Sequence, residues 1–368
     1  MTYRSPLLST PGAVSFDGAD AGVAAHYGDP FREQRVLTDA CGIVDRSHRG
    51  VLKVPGADRL SWLHSITTQH VEKLPDATGA EALVLSPHGH VEHHLQLAEL
   101  DEVTWADVEG ADAEPLLKFL ESMRFMLRVD PADATDEYAV LSVGGASAAA
   151  VLAAAGVSIG VERSSVAPTP WGGFARRMPW PVDGAVDLVV QRSSLVEAWE
   201  ALSAAGAVAA GTWAWEALRV AVRRPRLGFE TDHRTIPHEV GWLETAVHLQ
   251  KGCYRGQETV ARVHNLGRPP RRLVLLHLDG MSESVPAPGT PVVSGTREVG
   301  RVGTAVRHHE YGFVALALVK QSVTPETPLT VGEASAAIDP DDAPEDLDDT
   351  RAAARERVRA VRSATIPR

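Results

Sequence analysis

The stretch Lys251-Gly252-Cys253-Tyr254-Arg255-Gly256-Gln257-Glu258 sets a thiol between two cations and two glycines, and the chain holds only one other cysteine, Cys41. A cysteine beside Lys251 and Arg255 keeps its thiolate more readily than an isolated one, and the thiolate is the form that attacks electrophiles or ligates metals. Gly252 and Gly256 free the backbone on either side, permitting positive φ or a close ligand approach. A plainer reading fits the same residues, because a lone cysteine is often a small buried hydrophobe and glycines at this spacing are common turn punctuation.

A second group lies in Gly89-His90-Val91-Glu92-His93-His94. His88, His90, Glu92 and His94 alternate, so on a strand they share one face, and imidazole with carboxylate is a workable ligand set. No second cluster sits at a metal-site spacing, and alternating polar residues are also what the solvent face of a half-buried strand shows. We therefore assign no metal site. Arg223, Arg224 and Arg226 form one basic cluster and Arg268, Arg271 and Arg272 another. Both read first as solvated surface and second as a grip for an anionic ligand tail. No phosphate loop, dinucleotide fingerprint or nucleophile elbow occurs, which leaves ATP hydrolysis, dinucleotide redox and serine hydrolysis without their motifs.

The elements that must carry these residues are legible in outline. Residues 50–54 alternate as a strand, Pro55-Gly56 turns, and residues 58–68 carry apolar side chains at helical spacing. Residues 83–85 and 91–97 read as a hairpin across Ser86-Pro87-His88-Gly89. After Asp130-Pro131 the style repeats: strands at 138–143 and 187–191, helices at 146–155 and 195–205. A helix at 213–222 leads through a Pro- and Gly-punctuated return segment to the octapeptide. Beyond Arg268-Pro269-Pro270, short strands at 273–278, 290–293, 301–306 and 313–319 suggest a small barrel. The expected organisation is a loose arm over 1–35 and a first α+β unit over 36–130, completed by 212–270. A second α+β unit over 131–211, a barrel over 271–335 and a charged tail over 336–368 follow. The tail runs from an acidic stretch at 339–349 to an Arg/Ala-rich one at 351–362 and reads as solvated.

With 368 residues the chain is long enough for two or three cores. A net charge of −12 argues against a protein that coats nucleic acid. The sequence pI near 5.7 agrees. Two distant cysteines make no disulfide framework, and the opening residues carry no apolar signal region, so a cytoplasmic location is expected. The uncharged stretch 143–161 is mostly Ala, Gly and Ser and suits a buried helix better than a membrane span.

The octapeptide resembles, at all eight positions, the K-G-C-Y-x-G-Q-E signature of the YgfZ folate-binding family, relatives of the glycine-cleavage aminomethyltransferases (GcvT). The resemblance covers about residues 50–331 and implies an α+β fold: two related α/β-sandwich units and a C-terminal β-barrel in a three-domain ring around a folate channel. It implies tetrahydrofolate, with or without a polyglutamate tail, as cofactor, and Cys253 with Lys251 as the reactive pair. Asp187 and Arg219 stand where relatives place folate-binding groups, and Gly252, Tyr254, Gly256, Gln257 and Glu258 would shape the loop at the ligand. Iron-sulfur client or assembly proteins are the implied partners, with no membrane or nucleic acid. Where aminomethyltransferases carry an acidic hairpin residue, this chain has His93 and His94, a loss that argues against aminomethyl transfer. Three readings follow: an accessory protein for iron-sulfur enzymes, a folate-dependent aminomethyltransferase or demethylase, and a scaffold that has lost its ligand.

Overall fold

The computed structural model describes residues 3–279 and 285–342. The first of two sheets runs Val166–Pro168, Phe174–Arg177, Val186–Gln191, Tyr138–Gly144, Gly42–Asp45 and Val208–Ala210, antiparallel except at its last pair. The second runs Thr78–Leu85, Val91–Leu100, Val103–Val108, Gly50–Pro55 and Ala132–Asp133, antiparallel throughout.

Strand alternation sorts the side chains into layers. Leu141, Leu188 and Val190 face outward from the first sheet onto Ala148–Ala154 and Leu195–Ala204, two helices that bury Leu152, Trp199 and Leu202 there. Leu52, Leu95 and Leu97 do the same from the second sheet onto helices Arg59–Ile66 and Ala113–Ser122. Their neighbours in sequence, Val51, Ala98, Val140 and Val189, meet Phe174 between the sheets. The two sheets thus face each other, and Asp107, Arg176 and Asp187 enter the gap from otherwise apolar strands.

The barrel is closed by six strands, Arg271–Leu278, Gly312–Lys320, Arg297–His308, Pro291–Ser294, Leu329–Val331 and Ala334–Ile338. It reaches Ile338, three residues past the expected boundary. Register slips between Val302 and Ala305. At that bulge a Cβ on Gly303 would lie 2.6 Å from Glu230 Oε1, so the glycine lets the return segment press against the barrel.

Three expectations differ from the structure. Gly42–Asp45 pairs with Tyr138–Gly144 and Val208–Ala210 in the first sheet instead of joining residues 50–130. All four of its residues are buried, so no alternation marked its partner. The opening arm is packed: Leu7 lies in the core of the first sheet, Ser5 Oγ donates to Asp45 Oδ2 at 2.5 Å, and Val14–Ser15 pairs with Ala24–His26. Pro30–Asp39 already forms a helix, capped by Asp29. The arm is fixed by small residues and polar pairs, which leave no periodicity. Helix Thr212–Ala221 packs on Pro30–Asp39 and on the barrel strand Arg297–His308, while residues 240–260 of the return segment cover the hairpin through Val240, Trp242, Tyr254 and Val260. The Arg/Ala-rich stretch at 351–362 and most of the acidic run lie outside the described residues. Among the described residues no helix is long and apolar enough to cross a membrane.

Candidate functional site

The octapeptide is seated on the Ser86–Gly89 turn of the hairpin. Gly256 has φ +83° and begins helix Gln257–Leu266. A Cβ there would lie 2.6 Å from Ser86 O and 2.8 Å from Gly89 Cα, so only glycine fits. Gly252 has open space around it, and nothing in the packing requires a glycine there. Tyr254 is buried beside Leu85, Val91 and Trp242, and burial pushes its phenol up to about 12. Gln257 Nε2 donates to the Lys251 carbonyl at 3.3 Å. Glu258 is exposed on the first helical turn, where the positive end of the helix favours a carboxylate.

The cations that the sequence sets beside the thiol turn elsewhere. Lys251 is buried, and its ammonium donates to the carbonyls of His64 and, at 2.6 Å, of Thr67. These carbonyls close the C-terminal end of helix Arg59–Ile66, which lacks intrahelical partners there. Lys251 is a capping cation, and desolvation lowers it to about 8. Arg255 pairs with Glu92 at 3.0 Å and lies 5.7 Å from the Phe119 ring. Cys253 itself is exposed and lines a cavity of about 380 Å³ with Ser65, Ile66, Phe119, Met123, Tyr254 and Arg255. Cys41 is its opposite: buried, with its thiol pushed up to about 11 by desolvation.

Between the sheets lies a network of charges. Asp187 is buried. Its Oδ1 accepts from Ser142 Oγ at 2.5 Å and from Arg46 at 3.3 Å. Its Oδ2 lies 3.3 Å from Arg176, so the carboxylate expected to meet a pterin holds two arginines. Arg176 also pairs with Asp107 on the facing sheet, and Asp107 accepts from Arg49 at 2.9 Å. Burial works against the Asp107 charge, but Arg176 and Arg49 outweigh it and hold the carboxyl below the usual range. Arg219 differs from its expected role too. All its donors are engaged, by Glu216 at 2.8 Å, Glu230 at 3.1 Å, Thr304 Oγ1 at 2.6 Å and the Arg224 carbonyl. It ties its helix to the return segment and the barrel bulge.

In the basic cluster before the octapeptide Arg224 and Arg226 are buried and Arg223 is partly exposed. Arg226 is buried among Asp20, Glu109 and Glu216, at 2.6, 2.7 and 3.2 Å. Arg224 pairs with Glu81 and lies 5.3 Å from the Trp180 ring. Arg223 reaches Asp342 at 2.6 Å. In the later cluster Arg271 grips Asp232 and Glu239, at 2.7 and 2.8 Å.

The hairpin histidines separate to two faces. His93 pairs with Asp112 at 2.8 Å, and His94 Nε2 lies 2.5 Å from Glu81 Oε1 with its ring stacked on Trp242 at 4.5 Å. Burial, with Arg49 adding to it, depresses His94 to about 4. Among the described residues no three His, Cys, Asp or Glu groups are placed to hold a metal ion.

Sequence reasoning passed over Arg46, Glu81, Trp180 and Trp215, and took Arg224 first as solvated surface. Trp180 and Trp215 lie 6.3 Å apart, and the Arg46 guanidinium sits 5.3 Å from the Trp215 ring. The indole N–H groups of Trp180, Trp215 and Trp242 and the Nε of Arg224 are buried without a partner among the described residues. Buried donors are normally paired, so this interior offers unspent hydrogen-bonding capacity. A signal was present in single charges set in apolar strands, as Glu81 in Ala80-Glu81-Ala82-Leu83 and Asp187 in Val186-Asp187-Leu188.

Residues 10–251 match the GCVT N-terminal domain family, and residues 271–345 match the CAF17 C-terminal beta-barrel domain. A putative chloroplastic transferase of Arabidopsis thaliana is 25% identical over 90% of this chain and 76% of its own length. An aminomethyltransferase of Symbiobacterium thermophilum is 28% identical over 79% of this chain and 80% of its own length. The crystal structure of the glycine cleavage system aminomethyltransferase T from Bartonella henselae superposes with a TM-score of 0.79 at 19% identity, covering 90% of this chain and 94% of that one. That likeness speaks for the fold. The two-sheet body, the closed barrel and the family matches agree, and the chain belongs to the CAF17/YgfZ-like family within the GcvT superfamily.

Proposed function

We propose that the chain is a tetrahydrofolate-binding accessory protein that supports assembly or repair of iron-sulfur enzymes, with Cys253 as its functional thiol. The observation that carries the reading is the placement of Cys253: exposed, at a 380 Å³ cavity, on a loop locked by the Gly256 contact and the Lys251 cap. A surface thiol on a rigid mount is available to a partner. A cluster needs several thiolates, so the client or a small thiol supplies the others, and the cluster is cargo.

The interior beside the charge network carries side chains of the kinds a folate would need. Trp180 and Trp215 offer faces on which a flat pterin stacks, and their N–H groups with Arg224 Nε are donors in need of acceptors. Arg46, Arg224 and Arg226 suit the carboxylates of a glutamyl tail. When bound, tetrahydrofolate supplies a carrier for one-carbon units. The space between Trp215, Arg46, Arg49 and Arg226 is now about 10 Å³, room for a single water, so a ligand enters only when a neighbouring group moves.

The test is a strain lacking this chain, supplied with wild type or Cys253→Ala and assayed for an iron-sulfur hydratase. Wild type restores the activity and the variant does not. Equal restoration by both would remove Cys253 from the account.

A second reading, a folate-dependent aminomethyltransferase or demethylase, is favoured by the Glu81–His94 contact at 2.5 Å. This carboxylate stands on the first strand of the hairpin, Thr78–Leu85, where it can hold His94 in one tautomer. Formation of methylene-tetrahydrofolate from an aminomethyl or N-methyl donor, abolished by Glu81→Gln, would establish it.

A further inference from the structure

The N-terminal arm places a carboxylate in the interior just described. Asp20 grips Arg226 with both oxygens, at 2.6 and 3.2 Å, and lies 3.0 Å from His48 Nε2. This is the forked geometry with which an arginine receives a ligand carboxylate. Asp20 also walls the 10 Å³ cavity with Arg46, His48, Arg49, Thr212, Trp215, Glu216 and Arg226. Two of these side chains, His48 through Nδ1 and Trp215 through Nε1, have a buried polar atom without a partner among the described residues. The cavity is too small for any organic ligand and too polar to be packing slack.

If Asp20 withdraws, Arg226 keeps two further carboxylates. Glu109 contacts the same guanidinium at 2.7 Å and Glu216 at 3.2 Å. Withdrawal of Asp20 leaves Arg226 paired and relieves repulsion among three carboxylates. The loop that carries it has a hinge at Gly18, at φ +138° with open space around it, and an anchor at Gly22, at φ +93°, where a Cβ would lie 2.2 Å from Tyr3 O. At the far end of the loop Gly22 O accepts from Ser5 N at 2.7 Å. At the near end the exposed Phe16 ring meets Trp213 edge-on at 5.3 Å. The segment is thus tethered at both ends and pinned in the middle by one side chain.

We propose that the loop from Gly18 to Gly22 is a lid over the ligand site, and that Asp20 is an intramolecular competitor displaced by a carboxylate of the incoming ligand. This rests on the reading of the interior as a folate site. Binding then requires the loop to open, and the fraction of open molecules limits the apparent affinity.

Hydrogen exchange of the full chain, with and without folinate, tests the lid, using wild type and Asp20→Asn, which keeps the shape and removes the charge. In the ligand-free variant, exchange across residues 16–22 quickens about tenfold, and folinate associates faster by a similar factor. In wild type, saturating folinate deprotects residues 16–22 while protecting the strands around Asp187, a pattern that a merely structural Asp20 would not give. If folinate binds wild type by calorimetry and residues 16–22 stay protected, the lid is overturned and the folate reading stands. Binding to Asp20→Asn alone supports both. If neither protein binds, the folate reading falls, and unchanged exchange in the ligand-free variant removes the lid as well.

Discussion

Arg176, on one sheet, donates from Nη1 to the main-chain carbonyl of Gln96, on the other, at 2.8 Å. The same guanidinium pairs with Asp107 across the gap and with Asp187 on its own sheet. Arg176 and Asp187 are opposite one another in the strand register, as are Gln96 and Asp107. Two cross-strand pairs therefore meet face to face, and a single arginine joins them.

Removing that arginine leaves Asp107 to Arg49 alone and Asp187 to Arg46 and Ser142. Arg176→Met should cost about 3–5 kcal/mol of unfolding free energy, because one partner of a buried ion pair is lost while the others stay. Arg176→Lys keeps the charge and loses the fork, so its cost should be smaller. Urea denaturation checks the order; a loss below about 1 kcal/mol for Arg176→Met would show that the network is not joined through this residue.

The two glycines of the octapeptide should behave differently. Gly256→Ala forces a Cβ to 2.6 Å from Ser86 O at positive φ and should destabilise by about 1–3 kcal/mol. Gly252→Ala meets open space and should change stability by less than about 0.5 kcal/mol. Paired thermal melts decide, and equal effects would contradict the seating of the loop on the Ser86–Gly89 turn.

This contrast also shows what the sequence could and could not convey. Helices such as Leu195–Ala204 were legible because each turns one face to a core and carries that face as a period, and the strand Val91–Leu100, buried on both faces over its second half, was legible from the Ser86–Gly89 turn that precedes it. Sheet membership was not: Gly42–Asp45 is buried on both faces and has no period to read. The arm hides its packing in Ser5 and Asp20, small polar residues whose partners lie in remote segments. Lys251 and Arg255 looked like activators of Cys253 because chain proximity was the available distance, whereas three dimensions direct one to a helix end and the other to Glu92. Arg224 and Arg226 read as surface, since Glu81, Glu109 and Asp20, which pair with them, stand more than a hundred residues away.

Acid should loosen the hairpin. His94 has its folded pKa depressed to about 4, chiefly by burial, while an unfolded histidine titrates near 6.5. The unfolded state therefore binds the extra proton first, so stability from this group is complete above pH 6.5 and is lost as pH falls toward 4, by up to about 3 kcal/mol. His94→Asn should flatten the stability profile across pH 4–6.5. A profile as steep as that of wild type would show that the acid response arises elsewhere.

The most direct measurement is a calorimetric titration of the reduced, full-length protein with tetrahydrofolate triglutamate, run in parallel on a Trp180→Ala, Arg224→Ala double variant. The account predicts a saturable one-to-one isotherm for wild type, thermal stabilisation by excess ligand, and an affinity reduced at least about tenfold in the variant, the loss of one stacking face and one charged hydrogen bond. No heat and no thermal shift in wild type would contradict the folate site outright. Equal binding by both proteins would contradict its placement beside the charge network.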